Sequence, residues 1–205
     1  MPLFEPIYGA TPIEDLSDLI PSHITTRDEL NEWESANILK ATRKYLTKRT
    51  ALDISVEWLK RIHREMFDET WLWAGILRKK NLNIGADWHN IIEQLGSLIN
   101  DLEFWQQDQQ LTLFARSVRL HHRLARIHPF INGNGRHARL VADIYLYSGN
   151  QPLPIWPDNK LINETDIRKK YIAALQAADN NDYPPLELFT KQLLAPSLKQ
   201  GQHHV

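Results

Sequence analysis

His128-Pro129-Phe130-Ile131-Asn132-Gly133-Asn134-Gly135-Arg136-His137-Ala138-Arg139 is the stretch on which both the fold and the chemistry of this chain turn. Gly133 and Gly135 let the backbone enter conformations closed to other residues and leave N–H groups uncovered, as a loop that wraps a phosphate requires. Arg136 and Arg139 follow at a spacing of three. If the loop opens a helix, they share one face above its electropositive N-terminus. His128, just before the loop, is placed to take a proton from an attacking hydroxyl.

Working outward, Phe114, Ser117, Val118, His121 and Leu124 form a helical stripe that runs into this stretch. Leu140, Val141, Ile144 and Tyr145 carry another out of it, to a stop at Gly149 with Pro152 and Pro154 beyond. The motif therefore joins two helices. Upstream, Thr26 and Glu29 have the spacing of a capping box, and Leu30, Ile38, Ala41 and Tyr45 follow on one stripe. A second helix starts at Asp53 or Ser55 and presents Val56, Leu59, Ile62, His63 and Met66 to a core. Ile91, Leu95, Leu98, Ile99, Leu102 and Trp105 mark a third. Late helices are marked by Ile167, Tyr171, Ile172 and Leu175, and by Leu186, Phe189 and Leu193. Residues 75–90 lose the helical period and carry turn formers between short apolar pieces, which reads as a small β-hairpin. The expectation is an all-α domain with a β-hairpin flap. Residues 1–25, with Pro2, Pro6, Pro12 and Pro21, should lie extended, and 196–205 should fray.

With 205 residues and 42% hydrophobic content, the chain can bury one good core. Lys+Arg 24 against Asp+Glu 25 leaves a net charge of -1, so the balance points to neither nucleic acid nor an anionic membrane. The absence of cysteine excludes a disulfide framework and thiolate zinc sites and fits a reducing cytoplasm. No apolar run approaches the roughly 20 residues that span a bilayer, and a soluble cytoplasmic protein is expected. His121, His122, His128 and His137 lack a metal-protease spacing, and His63 and His121 on apolar stripes read as core residues. The basic residues Arg43, Lys44, Lys48 and Arg49 are explained by a helix C-terminus.

The residues of the opening stretch resemble the active-site motif of the Fic/Doc superfamily, H-x-F-x-D/E-G-N-G-R-x-x-R, through His128, Phe130, Gly133, Asn134, Gly135, Arg136 and Arg139. The chain as a whole looks like the subgroup called mobile mystery protein B, through Asn31-Glu32-Trp33-Glu34, Trp71-Leu72-Trp73-Ala74-Gly75 and Tyr171-Ile172-Ala173-Ala174-Leu175. The resemblance implies a Fic-like helical domain over 51–195. Residues 1–50 would be an N-terminal extension with a candidate inhibitory helix, and 196–205 a flexible tail. It further implies an adenylyltransferase that moves AMP from ATP to a Ser, Thr or Tyr hydroxyl of a target protein held by the flap.

In that reading His128 is the general base. Gly133, Asn134 and Gly135 supply N–H donors and a side-chain amide to the α- and β-phosphates, Arg136 holds the phosphate chain, and Arg139 holds the γ-phosphate. Asn132 stands where the family has an acid for Mg²⁺, or Mn²⁺; a neutral amide is a poorer ligand. Many family members are held off by a glutamate on an inhibitory helix that pairs with the second arginine. Glu34 shares a stripe with Leu30, Ile38 and Tyr45: facing inward it needs a cation, for which Arg139 is the candidate, with Asn37 assisting, whereas at the stripe edge it would stand in water; Glu29, already in the capping box, is the remaining alternative. Two other functions stay open. One is a non-catalytic nucleotide- or partner-binding, toxin-like module of a mobile-element gene pair, to which Asn132 lends support. The other is a Doc-like kinase, against which Gly135 argues, since those members tend to carry Lys there. A cognate regulator and a homo-oligomer are also left open.

Overall fold

The computed structural model describes residues 16–108, 110–162 and 165–194, so the expectations for 1–15 and 196–205 lie outside the described residues. The helices are α1 Arg27–Tyr45, α2 Val56–Phe67, α3 Ile91–Gln107, α4 Leu113–Ile127, α5 Asn134–Ser148, α6 Asp158–Ile162, α7 Asp166–Asp179 and α8 Pro184–Gln192. The expected all-α fold is present. The short α6 is the addition; one turn carries too few residues to show a period.

Local chemistry sets the ends. Thr26 Oγ1 accepts from the Glu29 N–H at 3.2 Å and Glu29 Oε2 accepts from the Thr26 N–H at 3.0 Å, which completes the capping box of α1. Ser55 caps α2 through the Trp58 N–H, and Thr112 caps α4 through the Ala115 N–H. α4 stops at His128 because Pro129 disfavours the helical region for the residue before it.

α4 and α5 pack along each other at the centre, with α1 on α2, α2 on α5 and α3 on α4 around them. The main core is built from Leu59, Ile62, Met66, Phe67, Leu95, Leu98, Leu120, Leu124 and Val141, each at most 1% exposed. Full burial of one such aliphatic chain stabilises by about 1.5–3 kcal/mol. A second, smaller cluster of Val118, Leu161, Tyr171, Ala174, Ala178 and Leu186 seats α6, α7 and α8 on the other side of α4. The segment 18–20 runs beside 70–72, through Ile20 N–H to Thr70 O and Leu72 N–H to Asp18 O, both at 2.9 Å.

The hairpin expected over 75–90 does not form. The segment makes a single bridge between Leu77 and Phe130 and then an irregular loop that ends in one 3₁₀ turn, Trp88–Asn90. Its carbonyls are satisfied by a side chain rather than by a facing strand. Arg78, 3% exposed, donates to Lys80 O at 2.9 Å and to Ala86 O at 2.5 Å, and so replaces the ladder a hairpin would have used.

Candidate active site

The motif loop is held from beneath before it offers anything to a ligand. Phe130 is fully buried and lies flat on His63 of α2, with ring centroids 3.6 Å apart and 13° between planes. Asn134 grips the same residue twice: its Oδ1 accepts from the Phe130 N–H at 2.9 Å and its Nδ2 donates to Phe130 O at 2.9 Å. Both ends of the Asn134 amide are therefore spent inside the loop, which corrects the expectation that it faces a phosphate. Gly133 adopts φ 74° and caps α5; a Cβ there would stand 2.5 Å from the Phe67 ring, so both conformation and space demand glycine. Gly135 has no such demand. It sits within α5, and a Cβ on it would meet Arg139 Nη1 at 3.6 Å, an ordinary contact.

His63 is a residue whose part in the site the sequence conceals. Its Nε2 donates to Asn132 O at 3.0 Å while its Nδ1 accepts from the Gly75 N–H at 2.9 Å, which fixes the neutral tautomer. Burial first, and then the neighbouring His137, push its pKa well below the ordinary value. On an apolar stripe it reads as core, and it is core; only the fold shows that it props the motif loop.

His128 closes α4 in the left-handed region, with φ 54°. The Ala125 carbonyl lies 3.3 Å from Nδ1 and can only accept, so the proton resides on Nδ1 and the lone pair on Nε2. Burial lowers its pKa to about 4, and the nearby Arg78 lowers it too, so the ring is neutral near pH 7. The other histidines of this region make polar contacts in the core. His137 Nε2 donates to Leu59 O at 3.0 Å, His121 bonds the Tyr171 hydroxyl at 2.8 Å, and His122 meets Asp179 at 2.9 Å.

Glu34 projects inward from α1, 3% exposed, along the stripe Leu30, Glu34, Asn37 and Ala41. Its Oε1 accepts from the Trp71 indole N–H at 2.7 Å, and its Oε2 accepts from Arg136 Nη1 at 2.5 Å. The partner is thus Arg136, not Arg139 as expected. Arg136 also lies over the Phe67 ring, 5.0 Å from its centroid. Arg139 is drawn the other way. It is 6% exposed, donates to Asp158 of α6 at 2.9 Å, and sits beside the Trp156 and Tyr171 rings at 5.6 and 5.9 Å. A helical spacing of three places two side chains on one face, but packing of α6 and α7 decided where the second one points. Asn37 does not assist Glu34. Its amide bonds Glu65 O, Asp68, the Glu69 N–H and Thr70, and fastens α1 to the end of α2. Glu29 is occupied at the cap, where it also takes the Thr25 N–H at 2.8 Å.

Asn132 Oδ1 accepts from the Gly133 N–H at 2.6 Å, and among the described residues no group of three carboxylates or histidines is placed to hold a metal. The donor set does not fit a metal held by the chain itself: one neutral amide oxygen, already engaged, is a weak ligand for a hard cation. Of the basic residues near the end of α1, Lys44 is held by Glu65 at 2.8 Å and Arg49 by Tyr147 O at 3.2 Å.

A glycine turn between two central helices, preceded by a buried histidine, is the geometry to set beside known proteins. Residues 53–146 match the model of the Fic/DOC family. The chain is similar to the protein adenylyltransferase Fic of Aedes aegypti, 29% identical over 119 residues, 57% of this chain and 22% of that protein. It is likewise similar to the protein adenylyltransferase fic-1 of Caenorhabditis elegans, 27% identical over 137 residues, 65% of this chain and 26% of that protein. The chain thus spans about a quarter of the length of these curated relatives. In fold it resembles the BepC protein of Bartonella tribocorum, crystallised with bound AMPPNP, at a TM-score of 0.65 and 17% identity over 93% of this chain and 96% of that one. No described helix is long and apolar enough to cross a membrane.

Proposed function

We propose that this chain is a Fic-type adenylyltransferase that transfers AMP from ATP to a Ser, Thr or Tyr hydroxyl of a protein, and that α1 holds it off. The observation that carries the reading is the motif loop itself: a neutral His128 with its lone pair on Nε2, followed by the N-terminus of α5, which no side chain caps, and Arg136. In the step, Nε2 takes the proton of the target hydroxyl, whose oxygen attacks the α-phosphorus. The bond to the bridging oxygen breaks and pyrophosphate leaves. N–H groups of Gly135 and its neighbours at the start of α5 face the charge that gathers on the phosphate oxygens, where preorganised donors act most strongly. Arg136 draws the phosphate chain once Glu34 withdraws, because a guanidinium bound to a carboxylate is not open to a phosphate. Divalent cation enters as part of the nucleotide substrate. The functional unit runs over 51–195, with 1–50 as its regulatory extension, and the target lies against the 75–90 loop.

The names of the curated relatives support the donor and the reaction type. Asn132 favours a second reading, a nucleotide-binding module without turnover, because its amide oxygen is already bonded to the loop. ATP labelled at the α- or γ-phosphate separates the readings. Incubated with a cell lysate, the chain should pass α-label to protein, and His128→Ala should lose a general-base contribution of about 10² to 10⁴ in rate. Binding of ATP with no transfer of either label supports the module, whereas γ-label alone supports a kinase.

A further inference from the structure

The loop that would face the target and the base that would serve it are joined by one buried side chain. Arg78 leaves the bridge at Leu77 and Phe130, where its own N–H donates to Pro129 O at 3.0 Å. Its guanidinium then reaches back under the motif. Nε donates to His128 O at 2.7 Å, Nη1 to Lys80 O at 2.9 Å, and Nη2 to Ala86 O at 2.5 Å and Ile127 O at 3.4 Å. These acceptors are all backbone carbonyls, two at the end of α4 and two in the 80–86 loop. An arginine 3% exposed whose hydrogen bonds, among the described residues, all go to carbonyls carries a desolvation cost, which a merely structural anchor could avoid with an amide.

Gly85 closes the unit from the other side. With φ +102°, it lies so near that a Cβ would stand 2.6 Å from His128 Cβ and 3.0 Å from Arg78 Nη2. The Ala86 N–H also bonds Ile127 O at 3.2 Å. The left-handed backbone of His128, which aims its ring, is therefore bracketed by Pro129 O and Ile127 O on either side of the carbonyl that Arg78 Nε holds.

We infer that Arg78 is a positioning residue for the transfer reaction: its guanidinium sets the loop 80–86 and the backbone of His128 as one rigid unit, so that a target seated on the loop meets the base in register. This deepens the proposed function and rests on it. The planar fork is what the role needs, since three of its nitrogens donate in different directions at once. The cation has a second consequence. Arg78, from the 75–90 segment, bears on the ring electrostatically and opposes protonation of His128, as burial does.

The test uses the full chain in a Glu34→Gly background, with thermal melting and ATP affinity measured beside the kinetics. Arg78→Lys keeps the charge and loses the fork. Arg78→Gln loses both. Each should keep ATP affinity and lower kcat, by about 10²-fold for a base displaced by an ångström. The acidic limb of the pH profile should stay in place for Arg78→Lys and move to higher pH for Arg78→Gln. Gly85→Ala, which presses on His128 directly, should lower kcat while ATP still binds. The His128 ring, followed by NMR titration, gives the same shift without any turnover. Absence of transfer in every variant therefore overturns the proposed function, while an unmoved His128 titration in Arg78→Gln overturns this inference. Wild-type kcat in a folded Arg78→Lys, or loss of ATP affinity in step with kcat, also overturns it.

Discussion

Two arginines three residues apart meet opposite fates in this site. Arg136 looks across to Glu34 of α1, and Arg139 is tied to Asp158 of α6. The two acids differ in how they are held: the Glu34 side chain is 4% exposed and that of Asp158 is 59% exposed. An exposed partner is screened and mobile, so Asp158→Asn should change stability by under about 1 kcal/mol. It should nonetheless raise ATP affinity, because Arg139 Nη1 already lies beside Gly135 and the phosphate would no longer compete with a carboxylate. Calorimetric titration of ATP reads this; a weaker affinity in Asp158→Asn would mean that Asp158 aims Arg139 rather than occupying it. The stripe that Glu34 shares with Leu30 made it a candidate to turn inward toward a cation, but left open a place at the stripe edge in water; the fold buries it. Which cation it finds was not legible either. Periodicity reports the face of a helix, but not how α1 is set over α5 or how long side chains bend between them.

The helices were readable because each carries its own instructions: Thr26 and Glu29 at one end of α1, Ser55 before α2, Gly149 after α5. The loop 75–90 was misread because its order comes from Arg78 reaching across to α4, and no local pattern records a bond fifty residues away. The turn into α5 lies between these cases. Its glycine was legible, but the reason at Gly133 is the Phe67 ring from α2 as much as the φ of 74°. Gly133→Ala should therefore cost about 1–3 kcal/mol from backbone strain alone, and more from the ring contact. Denaturant unfolding measures it, with Gly135→Ala as the companion expected to be mild. Equal stability of the two variants would contradict the assignment of strain to Gly133.

At the scale of the whole molecule, buried titratable groups set how stability depends on pH. Burial lifts Asp143 to about 8, although the Trp156 indole and Arg139 pull it down. An unfolded Asp ionises near ~3.9. The native state thus holds the extra proton, and stability falls as pH rises between those values. Burial acts oppositely on histidines, lowering His121 to about 3 and both His128 and His137 to about 4. Their unfolded value is ~6.5, so the native state binds fewer protons below it, and the stability present above ~6.5 is lost as pH falls. Several histidines outweigh one carboxyl on the acid side, and Asp143 acts alone among these on the alkaline side. Tm should therefore peak near pH ~6.5 and decline toward pH 8, and Asp143→Asn should flatten the alkaline limb. A Tm that climbs steadily to pH 8 would contradict a protonated Asp143. The same scale holds the brake. α1 is fastened to α2 through Asn37, and from that mooring it reaches the motif through Glu34 alone among its described acids. The most direct measurement is α-label incorporated from ATP into lysate protein by the wild-type chain, Glu34→Gly, and Glu34→Gly with His128→Ala. The account predicts a rise of about tenfold or more on removing Glu34, equivalent to a competition worth about 1.4 kcal/mol, and a fall of at least about 10²-fold when His128 is also removed. Equal labelling by wild type and Glu34→Gly, or labelling by the double variant at the rate of Glu34→Gly, would contradict it.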